Sequence, residues 1–366
     1  MKVAHVCRSL VRTAGTERFI LETSREMSRR EIETRIYTST VNRGLIRSTH
    51  TETEVRHTVL AKSPVFHFYS DVLIAKQLID SASSWADVII LDHGTAAAEY
   101  SWRRHGLPCV PFFHYDKYDP SLFGALGPVV PIYTFPLKAV ESKCIRTIPL
   151  AFANSPSLAK RMRHYMKGGQ LLAVPLGIDV KKFCPTGADE GFVLMTGRFH
   201  PANNFELGLR AASNISSKLI IAGIIEERFS WYYHRLQNLV HETPELRSRV
   251  DFLNPNDQEL LDLIQKCSVF LSPRKYDYLG LATLEAMACA KPVIAYDADD
   301  GGELHSVVRC GDDLSQWRKA LGTLVEDSKI RKRIGMRSLA FVESEHTIQK
   351  TVDVMLSAIQ TYTGVV

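Results

Sequence analysis

The 366-residue sequence lacks the marks of several protein classes. It has no run of about 18 apolar residues that could cross a bilayer, and its N-terminus has too short an apolar segment for a signal peptide. Its seven cysteines include no C-x-x-C pair, which argues against a zinc or disulfide scaffold. No G-x-G-x-x-G follows the first apolar strand, which argues against a dinucleotide-binding dehydrogenase. We therefore expect buried free thiols and a cytoplasmic protein.

Charge is divided unevenly along the chain. Residues 1–176 contain 23 Lys and Arg against 15 Asp and Glu, a net +8, whereas 177–366 contain 22 against 25, a net −3. No nucleic-acid-binding motif accompanies the basic half. Acidic membrane lipid or a phosphorylated acceptor is therefore the expected attractor, with contact at the inner membrane face and no nucleic-acid partner.

Length and patterning predict two α/β domains. A chain of this size exceeds one typical domain, and 45% hydrophobic with 23% charged residues is an ordinary globular composition. Short apolar strands alternate with helical segments, which is the pattern of doubly wound parallel sheets. The strands are predicted at 2–7, 34–39, 87–91, 108–113, 150–153, 191–196, 218–222, 250–253, 269–271 and 292–296.

Residues 267–302 predict a phosphate-binding unit built as strand, loop, helix and strand. In a parallel sheet ligands sit beyond the carboxyl ends of the strands, so the loop at 273–280 faces a crevice. Gly280 allows close approach of the backbone, and the amides of Leu281 and Ala282 at the helix start favour an anion. The segment therefore predicts a site for phosphate.

Two carboxylates flank this predicted site. Asp277 lies in the loop, and Glu285 lies eight positions later, one turn into the helix. This spacing puts the first beside the phosphate and the second where it can accept hydrogen bonds from ribose hydroxyls. The alternative is that Glu285 is an ordinary solvated residue.

Polar residues also follow other predicted strands. Arg198 comes after the strand at 191–196, where its guanidinium can fork onto a diphosphate. His114 follows the strand at 108–113 and is predicted to face the crevice, although a capping or core role is an equal alternative. Gly15 and Thr16 form a turn at a helix start, with a simple Thr16 cap as the alternative.

Several motifs together resemble the donor site of retaining family-4 glycosyltransferases with the GT-B fold. The strongest resemblance is the ordered series Leu279-Gly280-Leu281, Leu284 to Ala288, Lys291 to Ala295 and Gly301-Gly302, with Asp277 eight positions before Glu285. Weaker resemblances are the turn at Gly15 and Glu17 and the segment from Gly197-Arg198 to Leu207. Asn203 stands where the family usually has Lys, Ala14 where it has Gly, and His305 where it has Glu.

The resemblance implies a fold and a domain division. The expected fold is two doubly wound, Rossmann-like domains facing each other across a cleft. An acceptor-side domain would span 1–176, with the C-terminal helix 347–366 packing back on it, and a nucleotide-sugar domain would span 177–346.

The implied activity is retaining transfer of a hexose from a UDP- or GDP-sugar to a glycan, lipid-linked or small-molecule acceptor. Arg198, Asp277 and His114 would be the catalytic residues. The donor would also contact Gly15, Thr16, Gly197, Asn203, Leu279, Gly280, Leu281 and Glu285. No cofactor or metal is expected, although Asp297, Asp299 and Asp300 leave a metal site as a minor alternative.

Two other functions stay open at the level of sequence. One is a sugar-nucleotide epimerase of the same fold, which needs no acceptor. The other is a catalytically silent GT-B module that binds sugar nucleotide or a partner, motivated by Ala14, Asn203 and His305.

Overall fold

The chain divides into two compact units. The computed structural model describes residues 1–11, 15–42, 52–55, 67–115, 130–163, 166, 168–275, 280–297 and 306–365. Unit 1 comprises Met1–Gly177 together with Ile348–Val366, and unit 2 comprises Ile178–Thr347. The chain therefore leaves unit 1 once and returns to it for its last helix.

Unit 1 is a parallel sheet flanked by helices. Its seven strands have the order β3-β2-β1-β4-β5-β6-β7, and all registered pairs are parallel. The strands are β1 (Lys2–Leu10), β2 (Glu33–Val41), β3 (Glu52–Val55), β4 (Val88–Leu91), β5 (Cys109–Phe113), β6 (Leu150–Ala153) and β7 (Gln170–Ala173). The helices are α1 (Gly15–Arg29), α2 (His67–Ala82), α3 (Ala98–His105), α4 (Val130–Ile145) and α5 (Pro156–Met162).

Unit 2 repeats this architecture with six strands. Their order is β10-β9-β8-β11-β12-β13, again in parallel pairs. The strands are β8 (Val193–Thr196), β9 (Leu219–Ala222), β10 (Val250–Leu253), β11 (Val269–Ser272), β12 (Val293–Tyr296) and β13 (Val308–Cys310). The helices are α6 (Phe205–Ala212), α7 (Ser230–Glu242), α8 (Asp257–Lys266), α9 (Leu281–Ala288), α10 (Leu314–Glu326) and α11 (Ser328–Glu345).

The strand orders fix where a ligand can sit in each unit. The order reverses between β1 and β4 in unit 1 and between β8 and β11 in unit 2. Connections leave in opposite directions at such a point, so a crevice opens beyond the carboxyl ends of those strands. The residues that follow β1, β4, β8 and β11 therefore border the expected ligand sites.

The predicted fold class of two Rossmann-like domains is confirmed, and the predicted strands form. The sequence reasoning missed β3, β7 and β13. It also extended the helix after Ser155 as far as Gly168, whereas α5 ends at Met162. The earlier end leaves chain length for β7 to pair with β6, and Gly169 packs so closely that an added Cβ would lie 2.2 Å from the Ile148 carbonyl oxygen.

The predicted free thiols are also confirmed. All seven cysteines are free, and five of them are buried. Within the described ranges, no helix is long and apolar enough to cross a membrane.

The last helix, α12 (Ile348–Thr363), packs on α1 within unit 1. Arg30 donates a hydrogen bond to the carbonyl oxygen of Gln349 at 3.0 Å and forms an ion pair with Asp353. Where α12 begins, Gly177 leaves no room for a side chain. An added Cβ would lie 2.6 Å from the Ile348 Cα and 2.4 Å from the Thr351 hydroxyl oxygen.

We expect Gly177→Ala to lower the free energy of unfolding of unit 1 by about 1–3 kcal/mol, because the new methyl group overpacks against the backbone of α12. Urea unfolding followed by circular dichroism measures the change. Gly322→Ala is the matched control, since no atom lies within 4 Å of its added Cβ. Equal unfolding midpoints for the two variants would contradict the packing argument.

Candidate functional site

The turn after β8 is held in a tight backbone arrangement. Gly197 has φ +145°, and a Cβ at Gly223, after β9, would lie only 1.7 Å from the Gly197 carbonyl oxygen. The Asn203 side-chain amide donates a hydrogen bond to the Arg198 carbonyl oxygen at 2.5 Å. The two glycines and Asn203 therefore fix the backbone from which the Arg198 side chain extends.

Arg198 belongs to a group of charges at the carboxyl ends of β8 and β9. Its side chain is 50% exposed, and its Nη1 lies 3.3 Å from Glu226 Oε1. Arg228 contacts the other oxygen of the same carboxylate at 2.9 Å. Burial raises the pKa of Glu226, but Arg228 and Arg198 outweigh burial and hold it below its usual value. Two guanidinium groups share one carboxylate, so this edge keeps a net positive charge.

The positive charge at this edge also affects the pKa of His200. Burial, followed by the charges of Arg198, Arg228 and Arg274, lowers the pKa of His200 from its ordinary 6.5 to about 4. Its Nδ1 also accepts a hydrogen bond from the Ala202 amide at 3.0 Å, which requires that nitrogen to be unprotonated. Near neutral pH the imidazole is therefore uncharged.

Helix α9 is the first helix after β11 in the chain. Gly280 is the N-cap of α9 and lacks a side chain that could satisfy the first amides of the helix. Glu285 is 2% exposed, so the sequence alternative of a solvated residue is wrong. Two residues predicted for the site, Asp277 and Leu279, fall outside the described residues, as do Gly301 and Gly302.

Lys275 also follows β11, but its charge is already engaged. Its Nζ lies 2.9 Å from Asp312 Oδ1 and 5.4 Å from the centroid of the Tyr296 ring. The hydrogen bonds that Lys275 donates to Asp312 and to Tyr296 raise the pKa of Lys275. Arg228 and Arg274, unlike Lys275, act on His200 together with Arg198 and are therefore the candidates for a second cation.

In unit 1, His114 is held by a buried carboxylate. Asp92, directly after β4, places Oδ1 at 2.9 Å from His114 Nε2 and Oδ2 at 2.9 Å from His5 Nδ1. Burial by itself raises the pKa of Asp92, but attraction and hydrogen bonds from His5 and His114 lower it to about 2. An ionised carboxylate only accepts hydrogen bonds, so His114 carries its proton on Nε2 and offers Nδ1 when neutral.

Aromatic contacts fix the plane of the His114 ring. It stacks on Phe112 with ring centroids 4.4 Å apart, and its edge meets Phe19 at 5.3 Å. Phe19 lies one turn after Gly15 and Thr16 at the start of α1. The predicted turn and the predicted histidine are thus neighbours at the carboxyl edge of the unit 1 sheet. A small cavity there is lined by Asp71, Asp92, His93, Gly94, Thr95, Phe112, Phe113, His114 and Tyr115.

Sequence reasoning missed Asp92, His5, Glu226, Arg228 and His200. One signal could have found Asp92, because it follows the apolar strand β4 as His114 follows β5. Nothing in the sequence pairs Glu226 with Arg198, which lie 28 positions apart and meet only because β8 and β9 are neighbours.

The metal alternative concerns the segment after β12. Asp297 lies 3.4 Å from Arg309 in an ion pair, whereas Asp299 and Asp300 are outside the described residues. In the part of the chain that the structure describes, no three His, Cys, Asp or Glu side chains come together as a metal site.

The fold and this edge geometry define a protein of the GT-B class, and comparison with known proteins agrees. Residues 13–182 match the model of Glycosyltransferase Family 4, and residues 181–312 match that of Glycosyl transferases group 1. Together the two matched segments run from residue 13 to residue 312, and they support a family-4 glycosyltransferase of the GT-B type.

Curated relatives match over part of their length. A D-inositol 3-phosphate glycosyltransferase of Corynebacterium jeikeium is 30% identical over 44% of this chain and 45% of the relative. A mouse alpha-1,3/1,6-mannosyltransferase is 25% identical over 50% of this chain and 47% of the relative. The chain spans about half the length of the curated relatives it matches.

Solved structures match over nearly the whole chain. The Anabaena protein HepE, crystallised with UDP and glucose, has a TM-score of 0.78 at 16% identity and covers 99% of this chain and 100% of its own. A sucrose-phosphate synthase of Thermosynechococcus elongatus has a TM-score of 0.82 at 15% identity over 99% of both chains. At these identities the match shows the shared fold.

We expect Asp92→Asn to lower the free energy of unfolding by about 2 kcal/mol at neutral pH, because one histidine loses its acceptor inside the core. The carboxylate contributes stability above its ordinary pKa of 3.8 and loses it as the pH falls toward about 2. The gap between wild type and variant should therefore narrow on acidification, as measured by denaturant unfolding.

Asp80→Asn is the matched control for this variant. Asp80 also accepts from a histidine, His105, at 2.7 Å, but both side chains are solvent-accessible. An exposed pair of this kind contributes about 0–1 kcal/mol. An equal loss of stability in both variants would contradict the role of the buried carboxylate.

We expect Arg198→Ala to raise the pKa of His200 from about 4 toward its ordinary value, because one of the charges that oppose protonation is gone. Burial and the remaining arginines should keep the pKa below 6.5. Titration of the imidazole by nuclear magnetic resonance measures the shift. Arg210→Ala, an exposed change on α6, should leave the titration in place, and an unchanged curve in Arg198→Ala would refute the charge cluster.

Proposed function

We propose that this chain is a retaining, metal-independent glycosyltransferase that moves a hexose from a UDP- or GDP-sugar to a glycan, lipid-linked or small-molecule acceptor. The observation that carries the proposal is the positive edge of unit 2, where Arg198 and Arg228 share the single carboxylate of Glu226. A diphosphate is the part of a nucleotide sugar that such an edge recognises.

The leaving group would be stabilised by charge and by backbone amides. When the bond between the anomeric carbon and the phosphate oxygen breaks, negative charge develops on the diphosphate. Arg198 would bind that charge, and the amides at the start of α9, near Gly280 and Leu281, would add donors. Because these groups are fixed before the reaction, they need little rearrangement in the transition state.

Retention requires the acceptor to attack from the face that the diphosphate leaves. The acceptor oxygen bonds to the anomeric carbon, and its proton passes to a phosphate oxygen of the departing diphosphate. No protein base is needed in this scheme. His114, with Nδ1 available as an acceptor, would contact a sugar hydroxyl, Asp277 would bind further hydroxyls, and Glu285 would bind the ribose.

Asn203, which stands where the family usually has Lys, can be explained under this proposal. Its amide is used to hold the Gly197-Arg198 turn, and the cation that the family usually supplies there would come from Arg228 or Arg274. This observation favours an active transferase over a silent module. The relative HepE, which was crystallised with UDP and glucose, supports a UDP-sugar as the first donor to test.

We expect Arg198→Ala to reduce transfer by about 100-fold to 1,000-fold, since removing one donor to a developing anion typically costs that much in rate. A thermal-shift screen with UDP, GDP, ADP and their sugars would first identify the donor, and turnover would then be measured with that donor. Arg235→Ala is the control, because Arg235 is an exposed arginine of unit 2 that pairs with Glu206.

Three outcomes would overturn the proposal. Unchanged turnover in Arg198→Ala would show that Arg198 does not stabilise the leaving diphosphate. Conversion of the nucleotide sugar without any acceptor would indicate an epimerase. Tight binding of a nucleotide sugar with neither transfer nor hydrolysis across the donor panel would indicate a binding module.

A further inference from the structure

Helix α4 exposes several large apolar residues. Ile132 is 77% exposed and Phe135 is 70% exposed, and Val140 is exposed as well. The inward side carries polar groups, because Thr134 and Glu141 are buried and the Glu141 carboxylate accepts a hydrogen bond from Thr95. A helix that covers a sheet usually has polar residues on its exposed side, so these exposed apolar residues are unusual.

The exposed apolar residues share one face. At about 100° per residue, positions 132, 135, 136, 139 and 140 cluster on one side of the helix, and 134, 137, 141 and 145 on the other. We call the first set the outer face of α4. It consists of Ile132, Phe135, Pro136, Ala139 and Val140, all of which are exposed.

Contacts on the inward side fix this orientation. Leu137 and Ile145 are buried, and the Tyr69 hydroxyl of α2 donates to the Tyr133 carbonyl oxygen at 3.1 Å. The rings of Tyr69 and Tyr133 also meet at 5.7 Å. Turning the opposite side inward would break the hydrogen bond between Thr95 and Glu141 and expose Leu137 and Ile145.

Basic residues continue the outer face at its C-terminal end. Lys143 is exposed and falls on the outer face by helical spacing, and exposed Arg146 directly follows the last helical residue, Ile145. Residues 1–176 as a whole carry a net +8. Two copies of this basic half of the chain would repel each other, whereas an anionic surface would attract it.

We propose that the outer face of α4 docks on an anionic membrane surface. Its aliphatic and aromatic side chains would enter the boundary between headgroups and acyl chains, and Lys143 and Arg146 would meet the lipid phosphates. The docking surface stands on these observations and not on the transferase assignment. Together with that assignment, it would bring the chain to a lipid-linked acceptor.

The test is binding of the full chain to vesicles without nucleotide. We expect sedimentation with vesicles of phosphatidylcholine mixed with phosphatidylglycerol, and much weaker sedimentation with phosphatidylcholine alone. The double variant Ile132→Ser and Phe135→Ser should bind the anionic vesicles at least about tenfold more weakly, since two large apolar side chains no longer enter the lipid. Lys143→Glu with Arg146→Glu should remove the preference for anionic lipid.

The matched control is Met336→Ser with Trp231→Ser, which removes two exposed apolar side chains of unit 2 and should bind as wild type does. Circular dichroism and the nucleotide thermal shift of each variant verify folding apart from membrane binding. Absence of wild-type binding, or equal binding by the α4 double variant, would overturn the proposal. A concentration-dependent dimer that the α4 double variant abolishes, without vesicle binding, would assign the face to a second copy instead.

Discussion

The candidate site in unit 2 depends on the guanidinium groups that lie at the carboxyl ends of β8 and β9. Glu226 neutralises part of that charge, but it is shared between Arg198 and Arg228. Two glycines allow the turn that carries Arg198 to pass against the neighbouring strand end. The positive charge is therefore set by backbone packing before any ligand arrives, which is the condition under which charge stabilisation is most effective.

The candidate site in unit 1 contains a buried negative charge, the carboxylate of Asp92. The ionised Asp92 takes a proton donor on each oxygen, so it fixes the tautomer and position of both His5 and His114. Ring contacts with Phe19 and Phe112 complete the restraint. The two units are built alike, but in one a cation group is left partly exposed, and in the other a carboxylate is fully enclosed. The partly exposed Arg198 is therefore proposed to bind the diphosphate, and the enclosed Asp92 to orient His114.

Much of the fold could be predicted from patterning, because parallel strands buried on both faces appear as short, continuous apolar runs. Leu150–Ala153, which is buried throughout, has the predicted bounds, and Val293–Tyr296 differs from its prediction by one residue. The missed strands β7 and β13 are edge strands of their sheets, and edge strands are less apolar, as Gln170 and Arg309 show. Helix α4 gives no helical signal by periodicity, since its apolar residues lie on both faces.

The sequence by itself determined the two-domain α/β class, the strand-end positions of Arg198 and His114, and the glycine and proline punctuation of the loops. Those features are local, so neighbouring residues suffice to specify them. Only the tertiary structure decided that Asp92 joins His5 to His114, that Arg228 shares Glu226 with Arg198, and that the outer face of α4 is exposed. Each of these depends on which strands and helices are neighbours in space, and that is set by packing across long separations in sequence.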